Sequence, residues 1–158
     1  MTVRRYHTAL VTLHWVLAVA LLFALAMGTL VLDATPNSSP DKISALKGHM
    51  IAGISIGVLM LVRLGVRLKT AHPVPASTGN ALLDKLAPLA HWALYLLVFT
   101  MVASGVGTSL LAGLPDIVFG GVGSLPADFK GLLPRAVHGI VAKLLMLTIA
   151  LHIAAALF

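Results

Sequence analysis

The sequence predicts an all-α membrane protein, a bundle of four transmembrane helices. Of its 158 residues, 59% are hydrophobic and only 10% are charged, and the mean hydropathy is +1.01; soluble domains carry about 25% charged residues. No charged residue lies between Arg5 and Asp33 or between Lys85 and Asp116, and both stretches exceed the roughly 20 residues needed to cross a bilayer. A chain of this length fits one compact domain covering 1–158.

Segments rich in turn residues separate the apolar stretches from one another. The four spans are expected at about 9–32, 48–66, 87–112 and 136–158. The first is long and no small-residue cleavage site follows it, so we expect a retained anchor and not a signal peptide. The uncharged core of the second runs to Arg63, and the apolar stems of Arg63 and Arg67 allow their charged groups to reach the headgroups. The fourth contains Lys143, which lies too deep to be without a role.

Basic residues are distributed unevenly between the two ends of the spans. The side with the amino terminus and the second loop carries six basic residues and one acidic residue: Arg4, Arg5, Arg63, Arg67, Lys69, Lys85 and Asp84. The other side carries four of each: Lys42, Lys47, Lys130, Arg135, Asp33, Asp41, Asp116 and Asp128. Because basic residues stay on the cytoplasmic side, both termini are expected in the cytoplasm. The net charge of +6 then reflects membrane topology, and no nucleic-acid partner is expected.

Five of the seven histidines fall inside the spans or at their rims, where ionisable residues are costly and tend to be functional. The outer layer contains His49 and His138, and the inner layer contains His14, His91 and His152. His138 and His152 are fourteen residues apart, which places them on one helix face about 21 Å from each other. The remaining two, His7 and His72, are expected to contact solvent or headgroups.

Two layers of histidines favour two haems stacked between the helices, since a low-spin haem takes one imidazole on each face. The absence of cysteine excludes c-type haem attachment, iron–sulfur clusters and thiolate zinc sites. Bare metal ions and proton pumping are disfavoured because no span interior contains Asp or Glu. The alternative is a packing module in which histidines bond across helices, at about 1 kcal/mol each. Depth leaves the inner pair open between His152 and His91, with His152 favoured because His91 is shallower.

Three other residue patterns in the spans have more than one interpretation each. Arg63 follows His49 by fourteen residues, so it can pair with a propionate of the inner haem or serve as an end-cap that reaches the headgroups. Gly53 and Gly57 form a small-residue face that admits close helix packing, a flat macrocycle or a homodimer. Lys143 is expected to reach a propionate of the outer haem or to line a polar entry.

Each of the four spans contains a distinctive segment around a histidine. The segments are L-H-W, K-G-H-M-I-A-G-I-S-I-G-V-L-M-L-V-R-L-G-V-R-L, H-W-A-L-Y-L-L and V-H-G followed after twelve residues by H-I-A-A-A-L. Together they resemble the bacterial cytochrome b561 family. The resemblance covers nearly the whole chain and implies a four-helix bundle in the bacterial inner membrane that binds two b haems. By position it implies that His14 and His152 hold the inner haem and that His49 and His138 hold the outer one. His91 would then lie beside the inner haem or a quinone.

The resemblance also implies a function, because one type of member is a superoxide oxidase that passes electrons from external superoxide to ubiquinone. We therefore expect a quinone-linked oxidoreductase that takes electrons from a periplasmic-side donor, superoxide being the first candidate. The outer loops carry no net charge, which disfavours a broad positive field that would attract superoxide. Lys47, Lys130 and Arg135 are nevertheless expected to form a local positive mouth above His49 and His138. The alternative is an electron-carrying membrane anchor for a periplasmic dehydrogenase or a c-type cytochrome.

Overall fold

Every regular secondary-structure element in residues 5–74 and 79–157, which are the residues that this computed structural model describes, is a helix. No strand occurs in those two ranges, and the all-α prediction is confirmed. Four helical stretches are long and apolar enough to cross a membrane: Thr8–Leu32, Asp41–Lys69, Asp84–Leu111 and Leu133–Leu157. Arg4, which contributed to the predicted orientation, lies outside the described residues.

The four long helices begin ahead of their predicted spans, and the described residues include one additional helix. The helices are α1 (Thr8–Ala26), α2 (Asp41–Lys69), α3 (Ala81–Leu111), α4 (Leu114–Val118) and α5 (Leu133–Leu157). The start of α2 lies ahead of the predicted bound near 48, because the charged residues of its first turn remain helical outside the apolar stretch. Pro88 lies inside α3 and does not end it. The short α4, which was not predicted, follows Gly113, whose φ of 63° is readily adopted by glycine.

The outer end of the first span is a π-helical segment, Met27–Leu32. The amide of Asp33, the residue that follows this segment, donates to the carbonyl of Gly28 at 3.0 Å. Lys42 is only 6% exposed, and its Nζ donates to the carbonyls of Leu32 and Thr35. The start of α2 is thereby tied to the end of the first span, where helix carbonyls lack partners of their own.

The four long helices pack as two pairs, and α2 and α3 join the pairs. α1 lies along α2 and α3 lies along α5, while α2 also contacts α3. α5 scarcely approaches α1 or α2 at the level of the backbone. A central apolar cluster closes the middle of the bundle: Leu17, Leu25, Ile56, Met60, Tyr95, Val98 and Leu145. Side chains, and not backbones, therefore meet across the space between α5 and the α1–α2 pair.

Candidate functional site

The outer histidine pair bridges the space between α2 and α5. The ring centres of His49 and His138 are 6.1 Å apart, and their planes are inclined at 75°. A metal–imidazole bond is about 2.0 Å long, and each nitrogen lies about 1.1 Å from its ring centre. The ring centres of two imidazoles on opposite sides of one iron would therefore stand about 6.2 Å apart. The pair therefore has the spacing that one iron between the two rings requires.

The outer pair is oriented by a hydrogen-bond network on α3. The Nδ1 of His138 lies 3.0 Å from the carbonyl oxygen of Met101 and 3.2 Å from the hydroxyl of Ser104. A carbonyl only accepts, so Nδ1 carries the proton and Nε2 has a free lone pair, as in metal-ligating histidines. The Nδ1 of His49 is buried and has no hydrogen-bond partner within the described ranges.

An apolar cavity of about 430 Å³ surrounds the outer pair, within the roughly 300–1,000 Å³ that cofactor sites occupy. α1, α2, α3 and α5 all contribute to its wall, which is mainly aliphatic, and both histidine rings line it. Gly53 lines it too, and a Cβ there would meet no atom within 4 Å. A Cβ at Gly57 would lie 3.0 Å from Val102. Gly57 therefore serves the packing of α2 on α3, which leaves it unavailable to a homodimer.

Two further glycines leave room for the histidine rings. A Cβ at Gly105 would stand 3.1 Å from Cε1 of His138, and one at Gly28 would stand 3.6 Å from Cε1 of His49. Gly28 lies in the π-helical segment and Gly105 lies on α3. Sequence reasoning missed both of these residues, because only the tertiary fold shows which ring faces them.

The outer rim of the cavity is polar, and only one of the three predicted basic residues lies there. Arg135 lines the cavity and pairs with Asp33 at 3.0 Å. Lys47 lies over the ring of Phe119 at 5.7 Å, and Lys130 lines a separate pocket formed by the outer loop. Lys42, which sequence analysis counted only as a loop charge, lines the cavity instead.

The inner histidines form a cluster of three around His152. Its ring centre is 6.3 Å from that of His14 and 5.4 Å from that of His91, with planes inclined at 65° and 72°. Only the longer separation matches the roughly 6.2 Å between two axial ligands on one iron. His14 and His152 are half-buried, whereas His91 is exposed. The structure thus brings together all three predicted inner residues and distinguishes His91 from the other two by distance.

Arg63 has a partner that the sequence did not predict. Its Nη1 donates to the carbonyl of Leu10 on α1, four residues before His14. Farther along α2, the guanidinium of Arg67 lies 5.6 Å from the ring centre of Trp92 on α3. The two arginines therefore attach α2 to its neighbours beside the inner histidines.

The remaining sequence candidates lie apart from both histidine groups. His7 caps α1, its Nδ1 accepting from the amide of Ala9 at 3.2 Å, and His72 packs edge-on against Tyr6. Lys143 is exposed on α5 and does not line the cavity, which speaks against its predicted role at a polar entry. No group of three or more His, Asp or Glu side chains in the described part of the chain is arranged to hold a bare metal ion.

Histidine pairs at two depths of a four-span bundle are the arrangement expected of a membrane cytochrome of the b type. The family model for prokaryotic cytochrome b561 matches residues 5–158, and the chain belongs to that family. A probable superoxide oxidase, CybB, from Yersinia pestis is 27% identical over 161 residues, which cover 98% of this chain and 88% of that protein. No solved structure gives a significant match. The chain is thus a multi-pass bacterial membrane cytochrome with a role in electron transfer, and its family implies that it binds haem b.

Proposed function

We propose that the chain holds two b haems, one at each depth. His49 and His138 would be the axial ligands of the outer haem, and His14 and His152 those of the inner haem. The observation that carries this proposal is the ring separation of 6.1 Å in one pair and 6.3 Å in the other. The apolar cavity around the outer pair and the glycines beside its rings also support it.

Bound haem supplies an iron that gains and loses one electron, at a potential set by the axial ligands and their surroundings. The residues of the chain determine position and access. The Met101 carbonyl and the Ser104 hydroxyl orient His138, while the aliphatic wall of the cavity excludes water. With both axial positions held by histidine, donors and acceptors would exchange electrons without binding iron.

The proposed function is electron transfer from a periplasmic-side donor to membrane quinone. The basic residues at the inner ends support an orientation with both termini in the cytoplasm. The His49–His138 pair would then face the periplasm, and the three inner histidines would face the cytoplasm. His91 is exposed beside His152, where it can contact a quinone that arrives from the bilayer.

Superoxide is the first candidate for the donor. The similarity to a probable superoxide oxidase supports it, as do Lys42 and Arg135 at the cavity rim. In the alternative function, the chain is an anchor cytochrome, and its donor is a periplasmic dehydrogenase or a c-type cytochrome. The Asp33–Arg135 ion pair favours this alternative, because it reduces the positive field that would attract a small anion.

Haem content per chain tests the ligand assignment directly. Purified protein should contain two b haems by the pyridine haemochrome assay, and His138→Ala and His152→Ala should each lose one. His72→Ala is the matched control and should retain both, since that ring packs against Tyr6. One haem in the unmodified protein, or two in either ligand variant, would refute the assignment.

The rate at which superoxide reduces the haem-loaded protein, measured by stopped flow, distinguishes superoxide from a protein donor. If superoxide is the donor, reduction should be fast, should slow with added salt, and should slow further in Arg135→Gln. Lys69→Gln, at the opposite end of α2, should change nothing. Slow reduction that does not depend on salt would favour the anchor cytochrome.

A further inference from the structure

Lys143 is a charged residue in the middle of a membrane span. α5 runs from Leu133 to Leu157, so Lys143 stands about 15 Å from its outer end and about 21 Å from its inner end. In the described part of the four spans, every other Lys, Arg, Asp and Glu lies within roughly 10 Å of a helix end. The position is therefore unusual for a charged side chain.

The side chain of Lys143 is exposed and has no partner among the residues that the structure describes. It makes no hydrogen bond or ion pair with any residue in the described ranges. Its neighbours on the surface of α5 are apolar, with Ile140 61% exposed and Leu147 58% exposed. In a bilayer this patch would surround an ammonium group with hydrocarbon, which is energetically costly.

The lipid headgroups lie too far away to remove this cost. The Asp33–Arg135 ion pair marks the polar layer at the outer end of α5. Arg135 is eight residues from Lys143, or about 12 Å along the helix, whereas an extended lysine stem reaches about 6 Å. The ammonium group would therefore remain several ångströms below the polar layer.

We propose that this face of α5 docks a membrane-spanning helix of another protein, one that carries a carboxylate at the depth of Lys143. A second copy of the chain does not fit. Its acidic residues all lie in loops or near helix ends: Asp33, Asp41, Asp84, Asp116 and Asp128. A copy docked through the same face would place a second lysine against the first.

The surface around Lys143 also suits a close helix contact. Ala136, Ala150 and Ala154 are exposed and lie seven or eleven residues from Lys143, so they share its face. Small residues allow two backbones to approach, and interhelical polar contacts then stabilise the pair. The patch therefore offers one central cation with small side chains above and below it.

A designed helix tests the proposal without knowledge of the natural partner. The chain has no cysteine, so Ser124→Cys in an outer loop provides one site for a donor dye. The probes are Leu/Ala peptides of about 24 residues with one central Glu or Gln and an acceptor dye. Energy transfer is measured with haem-loaded protein in phosphatidylcholine vesicles at pH 8. The Glu peptide should bind at least about threefold more tightly than the Gln peptide.

Three variants assign that preference to the lysine. Lys143→Met should abolish it, Lys143→Arg should retain it, and Lys69→Met should leave it unchanged. Haem spectra check that each variant is folded. If Lys143→Met does not fold, Lys143→Arg still tests the proposal, because it keeps the positive charge and should keep the preference for the Glu peptide. Equal binding of the two peptides would indicate that headgroups satisfy Lys143 and would overturn the proposal. So would a preference that persists in Lys143→Met, or energy transfer between protein copies that depends on Lys143.

Discussion

The Nδ1 of His138 lies 3.0 Å from the carbonyl oxygen of Met101, so α3, which supplies neither histidine of the outer pair, orients one of the two rings. The hydroxyl of Ser104 lies 3.0 Å from the same carbonyl and 3.2 Å from Nδ1. This contact between α3 and α5 fixes which nitrogen of His138 carries the proton. Since α3 and α5 pack closely along their length, the ring is held by a rigid part of the bundle.

Ser104→Ala should weaken haem binding at the outer pair by about tenfold, because outer-shell partners of metal-ligating histidines typically contribute that much. The Met101 bond remains, so complete loss is not expected. Haem titration of apoprotein, followed by absorbance, measures the effect. Thr148→Ala is the control, since that hydroxyl bonds only within α5, to Leu144. Unchanged affinity in Ser104→Ala would show that the hydroxyl does not support the ligand.

Gly105→Ala should remove the outer haem and keep the inner one. The new Cβ would stand 3.1 Å from Cε1 of His138, and the bond to Met101 restricts the ring from moving aside. Gly65→Ala is the matched control, because a Cβ there meets no atom within 4 Å and alanine favours a helix by about 0.5–1 kcal/mol over glycine. Haem content per chain is the measurement. Two haems at unchanged potentials in Gly105→Ala would contradict the assignment of His138.

His14→Ala should lose the inner haem, whereas His91→Ala should keep it. The reason is distance: the His91 and His152 rings, 5.4 Å apart, are closer than the roughly 6.2 Å that two axial ligands need. If His91 instead contacts quinone, His91→Ala should slow electron transfer to a soluble quinone analogue. Haem content and quinone reduction are measured on the same samples. Loss of a haem in His91→Ala, with two retained in His14→Ala, would exchange the roles of the two residues.

The depth of each histidine could be predicted from the sequence, because it follows from helical rise and from the positions of charges along the chain. His49 and His138 were expected at one level, and the structure places their rings 6.1 Å apart. The same features predict one level for His14, His91 and His152, whose rings form one cluster. The choice between His91 and His152 as the partner of His14 could not be predicted in this way, since it depends on how α1, α3 and α5 are rotated against one another.

The contacts of the basic residues could not be predicted, because each depends on a carbonyl or ring that is distant in the sequence. Arg63 bonds to Leu10, fifty-three residues away, where sequence analysis proposed a propionate or the headgroups. Lys47 was placed at the cavity mouth but lies over Phe119, because α4 packs against the start of α2. No apolar periodicity marks a helix of five residues such as α4.

Lys42→Met should lower the free energy of unfolding by about 1–3 kcal/mol, because two part-buried carbonyls would lose the donor that satisfies them. Lys42 is only 6% exposed and donates to Leu32 and to Thr35, the latter at 2.7 Å. Methionine keeps most of the apolar stem, so lost packing contributes little. The measurement is the unfolding midpoint in detergent, at constant haem content.

Lys47→Met provides the comparison for that experiment. Its side chain is exposed on the same helix, and a surface substitution of this kind usually changes stability by no more than about 0.5 kcal/mol. Equal midpoints for the two variants would mean that water replaces Lys42 at the carbonyls. A clear difference would identify Lys42 as the residue that fastens the π-helical end of the first span, and with it Gly28, against the ring of His49.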